Sequence, residues 1–118
     1  MTLEEFFAGR DESRQIFDVL CAAVEAAGAS DLVVTKSQVA FRRSRPFAWA
    51  WVPDRYLRGG HAPLVLSLSL LQRDPSPRWK EIVEPAQGRF MHHLELHAAS
   101  EVDDEVRAWL CEAWASAA

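Results

Sequence analysis

In "PLVLSLSL", residues 63–70, leucine recurs at every second position (Leu64, Leu66, Leu68, Leu70), with Val65, Ser67 and Ser69 between. A helix would scatter these leucines around its circumference. An extended strand gathers all four on one face, because successive side chains alternate sides. Leucine on one face and serine on the other requires a sheet with one side against an apolar layer. Two more segments share the period. "FAWAWV" sets Phe47, Trp49 and Trp51 against Ala48, Ala50 and Val52, and "FMHHLELH" sets Phe90, His92, Leu94 and Leu96 against Met91, His93, Glu95 and His97. With "LVVTK" (32–36) and "QVAFRR" (38–43), these segments predict an antiparallel meander. The alternation of large rings with alanine favours Trp49 and Trp51 as core residues. The other reading makes them an exposed platform.

Both ends read as helical. Thr2 and Glu5 match a capping box, Gly9 is a stop, and a longer helix spans about Asp11 to Ala27 with Gly28 just past its end. Ser100 is expected to cap a closing helix with Asp103 at its third position, and Val102, Val106, Trp109, Leu110, Ala113 and Trp114 form its apolar stripe. Between the last two predicted strands, "QRDPSPRWKEIVEPAQG" reads as a connection with one helical turn near Arg78 to Val83, where Lys80 and Glu84 would pair. The expectation is a single α+β domain over residues 1–118. Its sheet has about five strands, mainly antiparallel, with the N-terminal and C-terminal helices packed on one face.

The opening "MTLEEFFAGRDESR" lacks the basic and apolar regions of a signal peptide, and "APLVLSLSLL" is too short to cross a bilayer. A cytoplasmic protein is expected. Cys21 and Cys111 match neither a disulfide framework nor a zinc spacing, and read as free, buried helical thiols.

Charge is unevenly placed. Residues 35–60 hold Lys36, Arg42, Arg43, Arg45, Arg55 and Arg58 against Asp54 alone, a net +5, so the rest of a chain of formal charge −4 carries −9. Guanidinium groups beside aromatic rings suit phosphate-bearing ligands, since arginine grips phosphate in a bidentate way and rings stack on bases. The plainer reading is a solvated edge that discourages strand pairing between molecules. The acidic remainder argues against a general nucleic-acid binder but leaves a small anionic ligand open.

The histidine-rich strand presents His93, Glu95 and His97 on one face. Alternate residues on a strand lie about 7 Å apart, so two neighbours can share an ion but three from one strand rarely can. A metal site there would need a further ligand, such as His61. No metal or other cofactor is expected. His92, on the apolar face, reads as a buried histidine bonded to backbone or to a hydroxyl such as Ser67 or Ser69. Catalysis would need a partnered nucleophile, and no motif supplies one.

Taken together, "VTKSQVAFRRSRPFAWAWVP", "PLVLSLSL", "SPRWKEIVEP" and "GRFMHHLEL" resemble a bacterial family of small domains of unknown function, over about Phe17 to Trp114. Such domains look as if they occur both alone and fused to other modules. The resemblance implies no reaction, cofactor or substrate, and it singles out Lys36, Ser37, Arg42, Trp49, Arg78, His92 and His93. Three functions follow as expectations. The first is a non-catalytic binding module whose anion-preferring surface uses Lys36, Arg42, Arg43 and Arg45, with Arg78 and His93 at the rim. The second is a metal-binding protein or hydrolase built on His92 or His93 with Glu95. The third is a homodimer formed through an edge strand or the aromatic face. No membrane partner is expected.

Overall fold

The computed structural model describes residues 1–53 and 61–118, so Arg55, Arg58 and most of the predicted loop after β3 lie outside the described residues. The chain runs α1 (Leu3–Phe6), α2 (Asp11–Ala27), β1 (Asp31–Val34), β2 (Val39–Arg42), β3 (Pro46–Trp51), β4 (Leu64–Leu70), β5 (Glu81–Ala86), β6 (Arg89–Leu96), a 3-10 turn (Ala99–Glu101) and α3 (Asp104–Ser116). Among the described residues the strands form one six-stranded sheet in the order β1-β2-β3-β4-β6-β5, antiparallel throughout. The α+β class and the flanking helices are as expected. The sheet has one strand more than anticipated.

The extra strand is β5, in place of the predicted helical turn. Glu81 to Val83 pair with His93 to Met91 of β6, and the Lys80 N–H extends the pairing to the His93 carbonyl at 2.8 Å. Gly88, at φ 76°, makes the left-handed turn a tight β5–β6 hairpin needs. Pro85, which cannot donate to a ladder, falls on this edge strand where the register shifts between Val83 and Ala86. Lys80 accordingly pairs with Glu95 at 3.4 Å, and Glu84 instead accepts the Gly88 N–H at 3.0 Å.

Both long helices cover one face of the sheet. Ile16, Phe17, Leu20 and Val24 of α2 and Val106, Trp109, Leu110 and Ala113 of α3 join Val39, Phe41, Ala48, Ala50, the four alternating leucines of β4, Leu94 and Leu96 in a single core. The alanines of β3 decide how close the helices come. Ala48 and Ala50 are fully buried under α3, and large rings there would hold the helix off the sheet. Trp49 and Trp51 therefore point to the opposite face and are half-buried, against the expectation that the rings fill the core. Phe47 departs from the alternation: a register shift at Phe41/Arg42 accompanies its burial in the core.

The ends differ in detail from the sequence reading. Thr2 and Glu5 form the expected capping box. The cap of α3 is Asp103, whose carboxylate accepts the Val106 N–H at 3.1 Å, while Ser100 lies in the preceding 3-10 turn. Asp103 wins because its carboxylate also meets Arg78, which fixes it at the helix start. The thiols are less enclosed than expected: Cys21 is half-buried and Cys111, outside the buried stripe of Val106, Trp109, Leu110 and Ala113 on α3, is exposed.

Candidate functional site

Antiparallel pairing places side chains of laterally matched residues on one side of a sheet. The register aligns Val33, Ala40, Trp49, Ser67, His93 and Glu81 in one row across all six strands, on the face away from the helices. Trp51, Val65 and Glu95 form the next row, and Ser69, Met91 and Val83 lie on the other side. Small residues flank the ring of Trp49, Ala40 on one strand and Ser67 on the other, so the surface dips. The result is an open groove of about 570 Å³ between Trp49, Trp51, Ser67, Met91 and His93, with Ser37 and Gln38 at one end.

The floor of the groove is held by a short hydrogen-bond relay. The Trp51 indole N–H donates to Ser67 Oγ at 3.0 Å, and Ser67 Oγ lies 2.7 Å from His93 Nδ1. Trp51 also meets the His93 ring edge-on, with centroids 6.4 Å apart. Burial pushes the His93 pKa below the ordinary histidine value; Glu81 beside it pulls the other way without prevailing. His93 is thus neutral near pH 7. Behind it is a smaller hollow of about 260 Å³, lined by Trp51, Pro53, His61, Val65, Lys80, Glu81, His93 and Glu95. Trp51 and His93 form the wall between the two.

Ser67 and His93 are not arranged as a nucleophile and base. Ser67 sits mid-strand, 4% exposed, with β3 on one side and β6 on the other. Backbone N–H groups bound in the ladders around it leave none to form an oxyanion hole. Among the described residues no group of three or more His, Cys, Asp or Glu side chains could hold a metal ion. Glu95 is engaged by Lys80, and His97 lies exposed beyond the end of β6.

The other sequence candidates separate into two groups. Lys36 and Ser37 occupy the β1–β2 turn, where Ser37 touches the groove, and Arg42 is exposed two residues beyond Ala40 at the other end of β2. Arg45 is exposed in the β2–β3 turn. The basic segment is therefore spread along a hairpin rather than gathered in one patch.

Arg43, Arg78 and His92 are structural. The Arg43 guanidinium stacks 3.5 Å from the Trp114 ring centroid and donates to the Trp114 carbonyl at 3.1 Å, fastening the end of α3 to the β2–β3 turn. Arg78 donates to both oxygens of Asp103 at 3.0 Å, to Glu105 at 2.9 Å and to the Glu101 carbonyl, so its charge is neutralised away from the groove. His92 is fully buried, as expected, and of the two anticipated kinds of partner it takes backbone rather than a serine hydroxyl. Its Nε2 accepts the Asp74 N–H at 3.0 Å, which leaves the proton on Nδ1 to donate to the Phe90 carbonyl at 3.0 Å. Ser67 is out of its reach because β6 turns His92 to the helix side, opposite the serine face.

Sequence reasoning missed Ser67, Met91 and Gln38 as site residues and left Trp51 open between core and platform. The shared parity of Trp51 with Trp49 and of Met91 with His93 was visible. The approach of Ser67 to His93 was not, because no local segment sets the register that pairs these two residues across β4 and β6. It also missed Asp74, which accepts the indole N–H groups of Trp79 at 3.0 Å and Trp109 at 3.1 Å.

No curated protein and no solved structure matches the chain. A family model does, from residue 3 to residue 117, so nearly the whole fold is accounted for by a single family. Its description agrees with the resemblance drawn from the lysine–serine, aromatic and paired-histidine strands: the chain belongs to the DUF5655 family, a domain of unknown function.

Proposed function

We propose that this domain is a non-catalytic binding module that takes a phosphate-bearing ligand with a planar ring on the open face of its sheet. The observation that carries the proposal is the exposed side of Trp49, set between the small residues Ala40 and Ser67 in a groove of about 570 Å³. Ring stacking on an indole is worth about 1–3 kcal/mol and tolerates many ring types. Exposed basic residues bracket the groove: Lys36 adjoins its Ser37 end, and Arg42 lies one strand repeat past Ala40. Arg45 adds charge at the same end as Arg42. Arg43 and Arg78 are no longer part of the proposed surface, since Trp114 and the α3 carboxylates engage them.

The test is a tryptophan-fluorescence titration with nucleoside monophosphates and short single-stranded oligonucleotides at low and high salt. Quenching that weakens with salt, vanishes in Trp49→Ala and loses several-fold affinity in Arg42→Ala supports the module. No response to any phosphate-bearing aromatic compound sinks it.

A second reading, self-association through β1, is favoured by the 37% exposure of Leu32 and the 48% exposure of Val33 on that edge strand. Edges with exposed apolar residues invite pairing with another chain. Light scattering across a concentration series tests it, with Val33→Lys expected to abolish any dimer. A monomer at all concentrations rejects it.

A further inference from the structure

The hydrogen bonds beneath the groove bear on what kind of ring it would select. An indole N–H can only donate, so Ser67 Oγ accepts from Trp51 and keeps its own proton to give away. Among the described residues, the one acceptor bonded to that hydroxyl is His93 Nδ1, at 2.7 Å. A neutral imidazole whose Nδ1 accepts carries its proton on Nε2. The relay thus holds His93 as the Nε2–H tautomer, and no protein group among the described residues accepts that N–H. His93 lines the groove alongside Trp49 and Met91, and it also lines the smaller hollow behind, so its Nε2–H is a donor without a protein acceptor at the wall the two recesses share.

We infer that His93 is the specificity-determining residue of the sheet-face site, donating from Nε2 to an exocyclic carbonyl oxygen of a ring stacked on Trp49. This inference rests on the proposed binding module. An exocyclic oxygen projects beyond the ring edge, so it reaches a side donor while the ring keeps its face on the indole. A ring with an amino group at that position sets donor against donor and leaves both N–H groups unpaired, the arrangement that sites built for hydrogen bonding reject most strongly. The ligand class is therefore an oxo-substituted heteroaromatic phosphate, as opposed to its amino counterpart. Ser67 and Trp51 act through His93 as positioning residues. Burial favours the same neutral state of the ring.

Inosine monophosphate and adenosine monophosphate differ at the ring by this oxo-for-amino exchange and by the N1 proton that accompanies it, and serve as probes. Fluorescence titration of the full chain is expected to show about tenfold tighter binding of the inosine compound, from a net hydrogen bond and the avoided unpaired donors. His93→Leu should bring the two affinities together by weakening the oxo ligand. Ser67→Ala should narrow the gap while leaving stacking on Trp49 intact, with circular dichroism confirming that both variants fold. Long-range ¹H–¹⁵N correlation of the imidazole provides a readout that needs no ligand: the Nε2–H pattern in the native chain, and a mixture of tautomers in Ser67→Ala. Equal affinities in the native chain, a preference that survives His93→Leu, or an Nδ1–H ring each overturn the inference while leaving the binding module standing. Absence of binding by both nucleotides overturns the inference, and the binding module falls with it only when no other phosphate-bearing aromatic compound binds either.

Discussion

The carboxylate of Asp74 accepts the indole N–H of Trp109 at 3.1 Å across thirty-five residues of sequence, joining the proline-rich connection to α3. Its other oxygen accepts the Trp79 N–H and the Ser76 N–H at 3.0 Å, and the two indole rings lie 4.1 Å apart. Asp74→Ala leaves three donors without this acceptor, and the expected loss is about 2–4 kcal/mol. Asp74→Asn, which keeps one accepting oxygen, should cost about half as much. Urea denaturation followed by tryptophan fluorescence measures both; a loss under 1 kcal/mol for alanine would show that water replaces the carboxylate.

Acid should weaken the fold in two stages. Burial holds the pKa of His92 and of His93 below the ordinary 6.5, so the unfolded chain binds their protons first as pH falls. The stability they contribute is complete above that value and declines beneath it. Burial alone would raise Asp74 and Asp103, but hydrogen bonds from Trp79, Ser76 and Trp109 to the one, and from Val106 and Arg78 to the other, overcome it and hold both below 3.8. Their contribution is lost only as the pH drops past that carboxylate range. Thermal midpoints from pH 8 to pH 2 should show both stages. In His92→Leu the upper one should flatten.

Trp114 is clamped from both sides. Its indole N–H donates to the Ala29 carbonyl at 2.8 Å, Arg43 covers its ring, and Gly28 packs against it so closely that a β-carbon would fall inside the ring's van der Waals envelope. Gly28→Ala should destabilise by about 1–3 kcal/mol through this overlap. Arg43→Ala should cost about 1 kcal/mol by loss of the cation–π contact, yet leave ligand affinity unchanged. An Arg43→Ala protein of native stability but weakened phosphate binding would return Arg43 to the site.

Ala40 leaves room beside Trp49 because it is the paired residue on β2 and carries only a methyl group. Ala40→Leu, on the open face, should be nearly neutral for stability and should lower affinity for ring ligands by at least tenfold if the ligand lies against Trp49. Chemical denaturation and fluorescence titration of the one variant separate the two effects. Unaltered binding would move the ligand to the hollow near Lys80.

Much of this architecture was legible because alternation and capping are local. The leucine–serine period of β4 specified a one-sided strand, and Thr2 with Glu5 marked the first helix. The strand β5 was hidden because Lys80 to Glu84 fits a helical pair as well as an edge strand, and only β6 provides the backbone partner that selects the strand. Parity put His93 on the open face and His92 on the core face, as the structure has them, yet the family resemblance made both site candidates. Arg43 and Arg78 looked like ligand-binding arginines because sequence displays a guanidinium without its partner. Their partners, Trp114 and Asp103, come from α3.

What the sequence determined by itself was the set of faces: which residues of each strand travel together, and where helices begin. A side chain's alternation depends on its own backbone alone. Which face of β3 meets the helices, and which residues of different strands meet one another, was decided only by tertiary structure. Close packing of α3 required alanine beneath it and turned Trp49 and Trp51 outward. The register of β6 against β4 brought Ser67 to His93, because register is set by how the whole sheet buries one face rather than by any local segment.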